Sequence, residues 1–174
     1  MKKDINWYLR EGLLTRDDSF RSLYGRFLDK ARNNMITMNL LHTIENNEKI
    51  RDTLKIPKKY SADEWIVITG YYVMYTSALA LLSKIGFKSK NHTATVLVLD
   101  EFFVKRKLLN NEHLKLLQHA SFKKEEIEEL FEAKQKREIA QYSITKQTTK
   151  EIAEKIMKDA KEFVNKCEEI LEHN

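Results

Sequence analysis

Six residues near the end of a charged segment carry the most legible chemistry in the chain: Arg137-Glu138-Ile139-Ala140-Gln141-Tyr142. An arginine fork donates paired hydrogen bonds to the oxygens of a phosphate or a carboxylate and keeps its charge at any physiological pH. Tyr142, five positions on, carries a phenol whose ordinary pKa near ~10 makes it a poor base at neutral pH. It can still orient a phosphate or stack on a nucleobase. Two basic stretches precede this pair. One is Phe87-Lys88-Ser89-Lys90-Asn91-His92 and the other is Lys105-Arg106-Lys107. Set beside one cleft, Lys88, Lys90, His92, Lys105, Arg106 and Lys107, with Gln141, would form a phosphate-attracting rim. Apart from one another they are ordinary solvated charges. Arg137 has a plain alternative too: Leu130, Ala133, Arg137 and Ala140 share one stripe of a helix, where the guanidinium would meet a carboxylate such as Asp100 or Glu101. Tyr142 is equally readable as an aromatic at the edge of a core, and His92 as the cap of the helix that follows it.

Other chemistries lack their residue sets. Four glycines cannot build a phosphate-cradling loop, and no serine sits in a nucleophile elbow. None of His42, His92, His113, His119 and His173 has a glutamate three residues before it, so the di-iron pattern of helical bundles is missing. His113 and His119 lie six apart with no thiolate or carboxylate set to complete a zinc shell, and surface or capping roles suit them better. No metal and no cofactor is expected.

The elements that must position these groups are helical. The chain has 174 residues, enough for one domain with a real core, and only four glycines and one proline, Pro57. A sheet-rich fold needs more turn residues than that. Charged residues make up 33% and apolar ones 42%, an ordinary globular balance rather than a disordered one. The single cysteine, Cys167, excludes an internal disulfide framework and fits a cytoplasmic protein. A net charge of +5 permits an anionic partner without demanding one.

Periodicity predicts a first helix over Lys3–Leu14 and a second, entered through Thr15–Asp18 and reaching Asn46, with Gly25 marking a close helix crossing. Asn46–Tyr60 reads as a connection with one helical turn. Ser61-Ala62-Asp63-Glu64 has the form of a capping box. The helix it opens has no charge from Trp65 through Ser83, yet holds Thr69, Gly70, three tyrosines, Thr76 and Ser77. That content suits a buried central helix of a soluble protein better than a membrane span. Gly86 offers the left-handed stop. Thr93–Val104 is β-branched but reads as helix for want of a partner strand. A short helix follows over Asn111–His119, another capped by Ser121, and a last one from Thr148 or Thr149 with a stripe through Ile152, Ile156, Ala160, Phe163 and Cys167. The acidic run Glu125–Glu132 reads as a solvated face paired with Lys134 and Lys136. The fold class is all-α, an up-and-down bundle over 61–171 with an N-terminal helical extension over 1–60, all in one domain.

In this order and spacing, several segments resemble the HEPN-domain family, in its small prokaryotic UPF0332-like branch. They are Tyr71-Tyr72-Val73-Met74-Tyr75 with Ala78–Leu82 and Gly86, a loop carrying His92, Phe102-Phe103-Val104, the Arg137-x-x-Ala140-x-Tyr142 closure, and Ala160 with Phe163-Val164. The resemblance implies a HEPN-like bundle that forms a homodimer. It implies association with RNA or nucleotide, and a place in toxin–antitoxin pairs beside a nucleotidyltransferase-type protein. Catalytic members are metal-independent endoribonucleases. A base takes the ribose 2′-hydroxyl proton, and a cation steadies the phosphorane. Their signature is an arginine followed four to six residues later by histidine. Here Arg137 keeps the cation, Tyr142 stands where the histidine belongs, and the next histidine is His173. The resemblance therefore implies weak or lost cleavage with an RNA-binding remnant, or else a non-catalytic homodimeric interaction module.

Overall fold

The charge-free stretch becomes the axis of the molecule. In the computed structural model, which describes residues 3–136 and 142–173 and the side chains of 3–128 and 150–173, it forms helix α4 over Asp63–Lys84. This helix is long and apolar enough to cross a membrane, but most of it is buried inside the fold. Its hydroxyls are satisfied locally: Thr69, Thr76 and Ser77 each donate to the carbonyl four residues back. Such bonding lets polar side chains sit in an apolar helix without an orphaned group.

Around α4 pack α2 (Tyr24–Asn46), α6 (Asn111–Lys136) and α7 (Tyr142–His173), with α5 (His92–Leu99) closing one end. Gly70 marks the tightest point. A Cβ there would stand 2.6 Å from Ile156 Cγ2 of α7 and 3.3 Å from Met38 Sδ of α2. Both neighbours are fully buried. Gly25, the expected crossing, has nothing within 4 Å of such a Cβ. The close approach is at Gly70 instead, because only the helix buried on most sides meets two others there.

The N-terminal part is less helical than expected. Helix α1 covers only Ile5–Arg10, with Asp4 accepting from the Trp7 amide. Leu14–Arg16 is a strand, β1, paired antiparallel with β2 (Phe87–Ser89) in the register Leu14↔Ser89, Thr15↔Lys88, Arg16↔Phe87. The reason is burial: Leu14 and Phe87 are 1% and 2% exposed, and the ribbon is what puts both inside. A 3-10 helix over Asp18–Leu23, capped by Asp17, then leads into α2.

Elsewhere the expected helices are present with changed boundaries, while two of the expected caps are not. Helix α3 (Glu48–Thr53) is the turn expected before Pro57. The capping box at Ser61 does not form as written. Ala62 holds the N-cap position with no side-chain cap. Its amide goes to Glu45 Oε2 at 2.8 Å, while Ser61 Oγ takes the Asp63 amide. Gly86 ends α4 at φ +79°, and a side chain there would press on Asp17 and Asp18. Helix α5 runs on into a π-helical turn, Asp100–Val104. Ser121 caps nothing: α6 is continuous through it, and its hydroxyl donates to Glu125 Oε1 at 3.2 Å. Helix α7 begins at Tyr142, ahead of the expected threonines.

The two glycines give opposite predictions. Gly70→Ala forces Ile156 and Met38 apart and should cost about 1–3 kcal/mol despite alanine's higher helix propensity. Gly25→Ala meets open space and should gain about 0.5–1 kcal/mol. Urea unfolding of both variants checks this, and stabilisation of both would contradict the crossing.

Candidate nucleic-acid interface

The two-stranded ribbon collects cations that are scattered in sequence. Arg16 lies with its guanidinium carbon 5.2 Å from the centre of the Phe87 ring. Phe87 packs on Phe102 with ring centres 5.2 Å apart, and Arg106 stands 5.7 Å over Phe102. One chain of ring and cation contacts, Arg16–Phe87–Phe102–Arg106, with the two rings tilted by 48°, thus ties the two basic stretches together. Lys88 projects from the opposite face of β2 and reaches the Phe20 ring at 5.6 Å, and Lys84, at the end of α4, lies 4.9 Å over Tyr24. Lys90, two residues beyond Lys88, is exposed on that side of the ribbon. Among the described residues, none of Arg16, Lys84, Lys88, Lys90 and Arg106 makes an ion pair. Unpaired cations resting on aromatic faces keep their charge available to an anion. Two acids at the start of the adjoining 3-10 helix have partners of their own: Asp18 holds Arg21 at 2.9 Å and Asp17 accepts the Ser19 amide.

The third basic residue run divides. Lys105 pairs with Glu101, whose hydrogen bond and charge raise the pKa of its ammonium above the ordinary lysine value. Lys107 has φ +61°, a conformation that favours glycine. It closes the π-helical turn: its amide donates to Val104 and the Leu108 amide to Phe103. A lysine at this left-handed position costs about 1 kcal/mol relative to glycine. Lys55, which ends α3 in the same way, is a second such residue.

His92 is placed differently. Asn91, not His92, caps α5, accepting the Ala94 amide at 2.7 Å. The His92 ring turns inward beside Tyr71 and Tyr75 of α4, with centres 6.0 and 6.1 Å away. Neither ring nitrogen has a hydrogen-bond partner among the described residues, and both are buried. Burial pushes its pKa down, opposed by the Glu125 carboxylate of α6. Burial likewise pushes the Tyr71 phenol well up. Lys124 of α6 covers Tyr71 and Tyr72 at 5.4 and 5.8 Å while bridging to Glu128 at 2.6 Å. This cluster is a packed joint between α4, α5 and α6 rather than part of the basic rim. Glu126 pairs with Lys123 at 2.6 Å, so the acidic face finds its described partners upstream; the side chains of Lys134 and Lys136 lie outside the described residues. His113 caps as expected. Its amide goes to Asn110 Oδ1 at 3.0 Å, and its Nδ1 accepts the Asn110 amide at 3.3 Å.

The rim expected from the sequence is therefore assembled in part: Arg106 joins Arg16 on the Phe87–Phe102 side of the ribbon, Lys88 lies on the opposite face of β2, Lys105 is paired, and His92 faces the core. Arg137 and Gln141 lie outside the described residues, as does the side chain of Tyr142. Arg16, Lys84, Phe20 and Tyr24 were not singled out from the sequence. A three-residue strand gives too short an alternation to read, and without its pairing Arg16 has no visible neighbour. Among the described residues no group of three or more His, Cys, Asp or Glu could hold a metal ion.

The histidine gives a prediction of defined sign. Its folded pKa lies below its unfolded value of about 6.5, so its contribution to stability is complete above that pH and declines as pH falls below it. His92→Phe removes two unpaired polar atoms that each cost about 1–3 kcal/mol when buried. The variant should be at least as stable as the parent at pH 7.5 and lose less on going to pH 5, read as melting temperatures. An unchanged pH dependence, or marked destabilisation at pH 7.5, would contradict this placement.

Comparison with known proteins agrees with the geometry. The HEPN domain family matches residues 24–170, a span that runs from the start of α2 to the last turn of α7. A UPF0332 protein of Archaeoglobus fulgidus is 30% identical over 131 residues, covering 75% of this chain and 94% of the relative. No solved structure gives a match. With an all-helical bundle around α4 and a family match over most of its length, this chain belongs to the HEPN-domain family.

Proposed function

We propose that this HEPN domain associates with RNA through the basic face around the β1–β2 ribbon, and that its own endonuclease activity is weak or lost. The observation that carries the reading is the ribbon's set of ring-borne cations, with Arg16 and Arg106 on the Phe87–Phe102 side and Lys88 and Lys84 over Phe20 and Tyr24 on the other. Cations set on aromatic rings with no carboxylate partner suit a polyanion that also offers flat bases. Tyr142 in place of the expected histidine supports the loss of cleavage, since Arg137 alone supplies charge but no base.

Single-stranded RNA binding followed by anisotropy over a range of salt tests this. Four contacting cations give a slope of log K against log salt of about −3. Charge reversal at Lys88, Lys90 and Arg106 together should flatten it by about 2 and weaken binding at least tenfold. Binding that ignores salt, or survives the triple reversal, would remove the proposal. In chelator, any slow cleavage should vanish in Arg137→Ala; rapid cleavage by that variant would show the nuclease chemistry lies elsewhere.

A second reading has its own observation. Trp65 and Tyr72, two turns apart on α4, are 49% and 40% exposed, and Phe122 of α6 is 56% exposed. Aromatic residues of this kind suit a protein interface, either a homodimer or a nucleotidyltransferase-type partner in a cytoplasmic toxin–antitoxin pair. Sedimentation should then show a dimer that Tyr72→Glu with Phe122→Glu dissociates. A monomer that retains no partner on purification counts against it.

A further inference from the structure

The rings at the ribbon's edge carry more than a general affinity for charge. We propose that Phe20 and Tyr24 are base-stacking platforms for single-stranded RNA, each with its own phosphate-binding lysine, Lys88 and Lys84. This rests on the RNA-binding reading and specifies which strand form is bound and by which residues.

Phe20 belongs to the 3-10 helix, and Tyr24 begins α2 four residues later. Tyr24 is 37% exposed and Phe20 is half-buried. Each ring has one ammonium over it, Lys88 at 5.6 Å and Lys84 at 4.9 Å, and neither lysine is ion-paired among the described residues. The lysines come from different elements, β2 and the end of α4, so the two pairs are built independently. An exposed cation–π contact is weaker than the stacking of a base on an aromatic ring. An arriving base therefore displaces the ammonium. On its flexible stem the freed lysine then reaches the phosphate of the same nucleotide. Each pair thus supplies both contacts that one nucleotide needs.

The strand form follows from access. A duplex keeps its bases stacked inside, and the A-form major groove is too deep and narrow for side chains on a surface ribbon. Bases of a single strand are free to leave their stack. Every base has a π face, so the platform is tolerant of sequence.

The test compares a labelled single-stranded RNA of about 12 nucleotides with the duplex of the same sequence, for the parent and for Phe20→Leu with Tyr24→Leu. Leucine keeps the apolar contact and removes the π face. The parent should prefer the single strand. The double variant should lose about tenfold or more on the single strand while its salt slope stays unchanged. A 2-aminopurine placed in the strand should be quenched by the parent and less by the variant. Equal single-strand affinity of parent and variant with undiminished quenching overturns the proposal, as does tighter binding of the duplex. Salt-dependent binding without any effect of the rings removes this proposal and leaves the phosphate-contact reading standing. Absence of all binding by the parent removes both. Should the double variant fail to fold, Tyr24→Leu alone and the quenching by the parent decide.

Discussion

Helix α4 can be buried only because α2 and α7 come within contact of its backbone at Gly70. A helix with no charge over some five turns must hide nearly all of its surface, and neighbours held off by side chains would leave part of it wet. Glycine at the crossing lets Met38 and Ile156 close the gap. The hydroxyls of Thr69, Thr76 and Ser77 fold back on carbonyls one turn earlier in the same helix, so these three need no partner from a neighbour. The remaining helices take their places from this packing. Ile156, Ala160, Phe163 and Cys167 of α7 are all fully buried.

What lies at the far end of α4 depends on how that helix stops. Gly86 turns the chain through a left-handed conformation in a space bounded by Asp17 and Asp18, and Phe87 then enters the core as the first residue of β2. The π-helical turn after α5 sends Phe103 inward and leaves Phe102 against Phe87. The same two phenylalanines that finish the core therefore support Arg16 and Arg106 on their outer faces. Packing and charge display are one construction here: the aromatic layer is dry beneath and cationic above. Lys107 sits in a backbone conformation that glycine would adopt more easily, as Lys55 does away from the basic face, so the strain by itself does not mark a site.

Much of the helical layout is legible in the sequence, since α4 and α7 carry long helical patterns and the β-branched α5 has no long strand to pair with. Single polar residues mislead where local and tertiary partners compete. Ser61 looks like a cap, but Glu45 from α2 takes the amide at the helix start. Ser121 looks like another, yet Leu117, Ala120 and Ile127 continue one buried stripe through it and the helix does not break. Gly25 and Gly70 are indistinguishable as letters; only the position of α7 separates them. The basic face was half visible. Lys88, Lys90 and Arg106 stand in evident clusters, whereas Arg16 and Lys84 join them only through a ribbon three residues long. Arg137 and Tyr142, the residues with the most explicit chemistry, gain their interpretation from the family rather than from a described contact.

RNA bound as proposed would meet this domain at the ribbon. Ultraviolet cross-linking of a bound single-stranded RNA, followed by mapping of the modified peptides, tests it most directly. Cross-links should fall on the peptides holding Phe20 and Tyr24 and on those spanning Phe87 to Arg106. Cross-links confined to the peptides of Trp65, Tyr72 and Phe122, with none at the ribbon, would contradict it.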